Sequence, residues 1–180
     1  ALNNPRIKLM KASGVYETED DQIVFNTFSL FDREGWKDVK PVSGKINIAL
    51  FHGAVKGALS DTDFELEGEI NLNFFEKYDY TLLGDIHKRQ FLNNKRTIAY
   101  CGSTIQQNYA EELVKGYLLW DIRSRSDFDV KFQSVKNVNP FVTVEWTGSK
   151  SDKSQLKSVV KGSRVRVDVK SRDTNGLKEF

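Results

Sequence analysis

The sequence predicts a mixed α/β (α+β) fold built around short buried strands. Two apolar runs, Ile46 to Phe51 and Tyr80 to Leu83, are short and have glycine close to their ends, which favours a buried strand over a helix. Strand, helix and strand patterns also follow one another over residues 141–170, and the simplest interpretation is a β-α-β unit. Of the 180 residues, 39% are hydrophobic and 29% are charged, a balance that is typical of a globular protein.

The amino-terminal part of the chain predicts two more strands and a loop. Residues 6–10 and 22–28 are β-prone, and an acidic turn over 17–21 separates them. Residues 32–43 combine glycine, proline and several charges, which predicts a surface loop. Trp36 within this loop either packs back on the core or lies exposed, and packing is the favoured interpretation.

The remaining elements follow from the same patterns of apolar and turn residues. In chain order they are a short helix over 67–77, strands over 97–100, 115–121 and 128–135, a strand over 141–146, a helix over 151–161 and a strand over 164–170.

The last of these strands predicts a basic surface. Its valines share one face, because side chains alternate along a strand. The other face carries Arg164, Arg166, Asp168 and Lys170. Three of these side chains are cationic, so Arg164, Arg166 and Lys170 are candidate contacts to the phosphates of DNA.

Charge is distributed unevenly along the chain. Residues 1–133 hold 17 Lys and Arg against 20 Asp and Glu, whereas residues 134–180 hold ten against five. A basic carboxyl-terminal part is compatible with binding to nucleic acid or another polyanion. An ordinary solvated surface explains the same excess equally well.

Composition also limits the compartment. No apolar stretch approaches the ~20 residues that span a bilayer, so no membrane partner is expected. Cys101 is the one cysteine, which rules out an intrachain disulfide and favours a reducing, cytoplasmic location. The sequence opens on Ala1 rather than methionine, so a processed product or a fragment is expected.

Both histidines of the chain follow buried strands. His52 ends the run that begins at Ile46, and Asp85 and His87 follow Tyr80 to Leu83. Ligands gather at the carboxyl ends of parallel strands, and imidazole and carboxylate are common metal ligands. Two interpretations stay open, a shared metal site and a polar loop, and the matching positions of the histidines favour the metal site.

A second acidic segment does not predict a metal site. The alternating acids of residues 61–65 resemble the start of an EF-hand loop, which requires glycine at its sixth position and glutamate at its twelfth. Leu66 and Leu72 occupy those positions, so a solvated acidic loop is the better interpretation.

Four motifs occur in an order that resembles the calcineurin-like metallophosphoesterase superfamily, in its branch of SbcD-type DNA-repair exonucleases. That branch has a strand ending in His-Gly, then a Gly-His-x-His motif, a Gly-Ser turn and a Lys-Gly strand. The corresponding segments here are Ala49-Leu-Phe-His-Gly53, Tyr78-Asp-Tyr-Thr-Leu-Leu-Gly-Asp-Ile-His-Lys-Arg-Gln90, Ala99-Tyr-Cys-Gly-Ser103 and Lys115-Gly-Tyr-Leu-Leu-Trp-Asp-Ile122.

The resemblance implies a metal-dependent DNA phosphodiesterase. Its cofactors are two divalent metal ions, manganese or else magnesium, and its metal ligands here are His52, Asp85 and His87. Asp85 departs from the family, which has histidine at that position, but a carboxylate also coordinates manganese and magnesium. Cys101 replaces the usual proline.

The resemblance also implies a domain layout. Residues 1–135 correspond to the later half of a four-layer α/β/β/α phosphoesterase sandwich, and residues 136–180 to the start of a basic DNA-binding cap. The family's earlier motifs, Asp-x-His, Gly-Asp-x-x-Asp and Gly-Asn-His-Asp, do not precede His52. The catalytic residues are therefore expected upstream of residue 1, and this chain alone is expected to bind metal weakly and to hydrolyse little.

The implied partners are DNA, an SbcC-type ATPase subunit and a second copy of the chain. A different class stays open, a non-catalytic nucleic-acid-binding or scaffolding protein that keeps the phosphoesterase fold. A phosphoesterase for small nucleotides is a third possibility, against which the basic last strand argues.

Overall fold

The computed structural model describes residues 7–172, and its centre is a six-stranded sheet. The sheet has the strand order β1-β2-β3-β4-β6-β5. The strands β2, β3, β4 and β6 are mutually parallel, and the edge strands β1 and β5 are antiparallel to their neighbours. The strands are β1 (Gly14–Glu17), β2 (Ile23–Phe28), β3 (Ile46–His52), β4 (Tyr80–Gly84), β5 (Gln90–Phe91) and β6 (Ile98–Tyr100).

One face of this sheet carries the larger core. Aromatic side chains dominate it, because Phe28 and Phe51 project from the strands and Phe75 packs over them from a 3₁₀ turn, Leu72–Phe75. A second 3₁₀ turn, Glu34–Asp38, brings Trp36 against the same cluster. The indole N–H donates to the carbonyl of Ser29 at 2.8 Å, so the partly buried ring also satisfies its polar atom.

A β-hairpin covers part of the opposite face. It consists of β7 (Lys115–Ile122) and β8 (Phe128–Val135), which pair antiparallel over their full length. Its Trp120 and Phe128 pack against Tyr80 of the sheet, with ring centroids 6.1 and 5.1 Å away. The Tyr80 hydroxyl reaches past them and donates to the Ser124 carbonyl at 2.6 Å.

The carboxyl-terminal part forms a β-α-β unit. The strands β9 (Phe141–Trp146) and β10 (Arg164–Val169) pair in parallel, and α1 (Lys150–Ser158) connects them. The helix begins at a capped end, where the Asp152 carboxylate accepts hydrogen bonds from the Ser149 backbone at 3.0 Å and the Thr147 backbone at 2.7 Å. The Asp152 carboxylate thereby satisfies the N–H of the N-cap residue Ser149, one of the donors that a helix start leaves free.

The structure confirms the mixed, sheet-dominated α+β class and most elements. The strands near 22–28, 46–51 and 80–83, the paired strands around 123–126 and the β-α-β unit are all present. Trp36 packs on the core, as favoured from the sequence.

Three details of the predicted elements are wrong. Residues 7–10 form no strand, and position 6 lies outside the described residues. The helix expected over 67–77 is only the one 3₁₀ turn, because its aromatic residues pack locally on the sheet. The carboxyl-terminal helix ends at Ser158 rather than at 161. In β10, Val165 and Val169 are 40% and 47% exposed.

Within residues 7–172, no helix has the length and apolar character that crossing a bilayer requires.

Candidate metal centre

His52 and Asp85 meet at the carboxyl edge of the main sheet. His52 is the last residue of β3 and is paired in register with Gly84, the last residue of β4. Asp85 follows directly, so the two neighbouring parallel strands deliver both side chains to one place. The distance from His52 Nε2 to Asp85 Oδ1 is 3.8 Å, and the side chains are 70% and 49% exposed.

Gly84 makes room for the histidine. A Cβ atom at this position would lie 2.7 Å from His52 Nδ1, which is far inside van der Waals contact. Any larger residue would therefore require the imidazole to shift.

Asp85 itself has an unusual backbone. Its φ is 91°, a positive value that non-glycine residues rarely adopt. Such conformations cost about 1–3 kcal/mol and cluster at functional sites. This strained residue directly follows β4, and its carboxylate lies on the side of His52.

Tyr100 fixes the segment that follows His52. Its side chain, fully buried at the end of β6, donates from the hydroxyl to the Gly53 carbonyl at 2.6 Å. The same oxygen accepts the Val55 N–H at 2.9 Å. Burial raises the pKa of Tyr100 to about 12, so the hydroxyl keeps its proton and the donated bond at neutral pH.

His87 lies in a different set of contacts. Its Nδ1 is 3.0 Å from Oε1 of Glu111, a carboxylate with no exposed surface. The other oxygen of Glu111 is 2.8 Å from Lys115 Nζ, and that lysine is itself only 4% exposed. Burial raises the pKa of Glu111, but hydrogen bonds from Lys115, His87 and the Gln107 backbone outweigh it and leave the pKa below its usual value.

The structure thus brings two of the three predicted ligands together. Among residues 7–172, one group of three His, Cys, Asp or Glu side chains has its ligand atoms within 4.8 Å of one another. Its members are Asp61, His87 and Glu111. This group contains His87 but neither His52 nor Asp85. The ligand set His52, Asp85 and His87 therefore stays a prediction.

Sequence reasoning missed Glu111 and Lys115. Glu111 lies in the connection to β7 with no motif around it, and Lys115 begins the Lys-Gly strand motif, which assigned it no role in a site. The one available signal is weak: Lys115 opens an otherwise apolar strand, where a buried lysine requires a partner.

The pair His52 and Asp85 fits a divalent cation. Both atoms can lie about 2.1 Å from one ion, because 3.8 Å is shorter than twice that distance. An imidazole nitrogen combined with a carboxylate oxygen suits manganese, magnesium or zinc chemistry. Both side chains are exposed, which leaves room for further ligands.

The predicted DNA-binding residues lie on the surface of the β-α-β unit. Arg164 and Arg166 place their guanidinium groups over the rings of Phe141 and Tyr109, at 4.8 and 4.9 Å from the centroids. Arg166 also approaches Asp168 at 3.5 Å. Lys170 follows β10 and is exposed.

No protein-family model matches the chain. An uncharacterized protein of Acanthamoeba polyphaga mimivirus is similar to it, with 35% identity over 153 residues. The match covers 78% of this chain and 11% of the viral protein, so the chain spans a small part of the relative that it matches.

Proposed function

We propose that the chain carries part of the metal centre of a DNA phosphodiesterase of the SbcD type. The observation that supports this most is the meeting of His52 and Asp85 at the ends of adjacent parallel strands, 3.8 Å apart. The strained backbone of Asp85 supports the proposal further. Strained residues cluster at functional sites, and a metal-binding role for the Asp85 side chain would explain the conformational cost.

The chemistry follows from the two donors. A divalent metal bound there would polarise a phosphodiester oxygen and make its bound water acidic. His52 would bind through Nε2, the atom that faces Asp85. Asp85 would supply negative charge at the open edge of the sheet.

The same proposal extends to the domain layout. Residues 1–135 would be half of a four-layer phosphoesterase sandwich, and residues 136–180 would begin a cap that contacts DNA. The apolar sheet face beyond the hairpin, where Leu50 and Leu82 line an open groove with Met10, is compatible with a further layer.

Manganese binding tests the metal centre directly. Free Mn²⁺ is measured by electron paramagnetic resonance during titration of the chain, of His52→Ala and of Asp85→Asn. We expect weak binding that each substitution weakens by about tenfold or more, since even residues that only support a ligand have effects of that size. Glu19→Gln, an exposed acid in the turn before β2, is the matched control.

Two results would contradict the proposal. One is Mn²⁺ affinity that is the same in all four proteins. The other is robust Mn²⁺-dependent hydrolysis of DNA by the chain that persists after His52→Ala.

A second candidate is a non-catalytic nucleic-acid-binding protein. The exposed Arg164 and Arg166, held over aromatic rings, are the observation that favours it, since such a surface can contact phosphates. Binding would then weaken steeply with salt and be unchanged by Mn²⁺ or by His87→Ala. Arg164→Gln with Arg166→Gln would lower the salt dependence, whereas Arg123→Gln would not, because Asp121, Asp127 and Asp129 already neutralise that residue.

A further inference from the structure

Glu111 holds His87 in one orientation from beneath the surface. The Nδ1 to Oε1 distance is 3.0 Å, the carboxylate is fully buried, and the histidine side chain is 30% exposed. An ionised carboxylate only accepts hydrogen bonds, so the proton between these atoms belongs to the imidazole nitrogen. In the neutral ring, the other nitrogen, Nε2, is then left with a free lone pair.

The carboxylate is in turn fixed by its own donors. Oε1 also accepts from the Asn108 side chain at 3.1 Å. Oε2 accepts from the Gln107 backbone at 3.1 Å and from Lys115 at 2.8 Å. With His87 included, four donors fill the roughly four acceptor positions of a carboxylate.

This saturation excludes Glu111 as a metal ligand in the arrangement observed. A cation between Asp61, His87 and Glu111 would have to displace the buried Lys115 ammonium or another donor. Losing one partner of a buried ion pair leaves an uncompensated charge, which is costly. The cluster is therefore a support for the histidine rather than a second metal centre.

The Nε2 atom of His87, by contrast, faces an accessible surface. The side-chain nitrogen of Gln107 lies 3.4 Å from it, at the limit of a hydrogen bond. Gln107 is exposed, so its side chain can move aside when another group approaches.

We propose that Glu111 is a positioning residue that locks His87 as the Nδ1–H tautomer and presents Nε2 as its ligand atom. The inference rests on the proposed function for the role of Nε2, and it adds a residue that no motif identified. Histidines that bind metal usually donate their second N–H to a carboxylate or carbonyl, which sets both the tautomer and the ring orientation.

Nitrogen NMR tests the tautomer without any metal. In metal-free protein labelled with ¹⁵N-histidine, at a pH where the rings are neutral, long-range ¹H–¹⁵N spectra distinguish Nδ1–H from Nε2–H. The chain has two histidines, so His52→Ala assigns both sets of signals. We expect His87 in the Nδ1–H form in the native chain and a shift towards a tautomer mixture in Glu111→Gln.

Two further variants separate positioning from a general effect on the fold. Glu112→Gln removes the neighbouring exposed carboxylate and should leave the tautomer unchanged. Glu111→Asp keeps the charge and should retain more of the Nδ1–H form than Glu111→Gln. In Mn²⁺ titrations, Glu111→Gln should bind about 10- to 100-fold more weakly than the native chain.

Native His87 in the Nε2–H form would overturn the inference, even if no variant folds. So would a folded Glu111→Gln protein with an unchanged tautomer. An Nδ1–H tautomer that depends on Glu111, together with no Mn²⁺ binding, would support the positioning role and contradict the proposed metal centre.

Discussion

At the scale of single residues, the candidate site depends on space and strain rather than on a long motif. Gly84 leaves the volume that the His52 ring occupies, and Asp85 takes a costly backbone conformation beside it. The meeting of His52 and Asp85 was predictable from the sequence, because a parallel sheet brings the ends of neighbouring strands together. The positive φ of Asp85 was not, since nothing local requires it.

Gly84→Ala should displace His52 without unfolding the protein. The new Cβ would lie 2.7 Å from His52 Nδ1, and the ring can shift at little cost because the His52 side chain is 70% exposed. We expect changed His52 NMR signals and weaker Mn²⁺ binding. Unchanged His52 signals in Gly84→Ala would mean that the ring is not what the methyl group meets.

Tyr100→Phe should destabilise the loop after β3. It removes the partner of the Gly53 carbonyl and of the Val55 N–H, and unpaired buried polar groups cost about 1–3 kcal/mol. Urea denaturation should show a lower free energy of unfolding by that amount. Tyr117→Phe, at a residue 45% exposed, should have little effect, and equal losses in both variants would refute the explanation.

At the scale of elements, local sequence patterns predicted the strands, but they did not predict the contacts between distant loops. The apolar runs of β3 and β4 identify them, and β7 and β8 read as a pair because one turn joins them. Glu111 and His87 meet only because the segment between β6 and β7 folds back on the end of β4. That approach depends on tertiary packing, so neither spacing nor composition revealed it.

The start of α1 predicts a pH-dependent stability. Hydrogen bonds from Ser149, together with those from Thr147, lower the pKa of Asp152 from its usual 3.8. A lowered folded-state pKa means that the contribution to stability is fully present above 3.8 and is lost as pH falls through the folded value. Asp152→Asn should therefore destabilise the protein at pH 7, with the difference shrinking in acid.

Chemical denaturation at pH 7 and at about pH 3, followed by the circular dichroism of the helix, measures this difference. Glu145→Gln, an exposed acid on β9, is the matched control. A stability loss in Asp152→Asn that is the same at both pH values would contradict the electrostatic explanation.

At the scale of the whole molecule, one sheet face is left partly open. The hairpin covers the end of the face that contains Tyr80, and the other end borders a groove of about 580 Å³ beside His52. Leu9 and Phe31 line this groove and are 81% and 87% exposed. Exposed apolar surface of this kind favours association.

Self-association should follow from that surface. We expect light scattering to give a mass that rises with protein concentration, and Leu9→Ser with Phe31→Ser to reduce the rise. Phe64→Ser changes an exposed aromatic residue on a loop elsewhere and should have no such effect. A clean monomer at high concentration would count against this expectation.

The three tryptophans give the molecule a built-in set of optical reporters. Trp36 lies against the main core, Trp120 lies in the hairpin, and Trp146 ends β9 at 3% exposure. Replacing any two with phenylalanine would leave a single emitter in one part of the structure. The order in which the three emission spectra shift to the red during denaturation would then reveal whether the sheet, the hairpin and the β-α-β unit unfold together or separately.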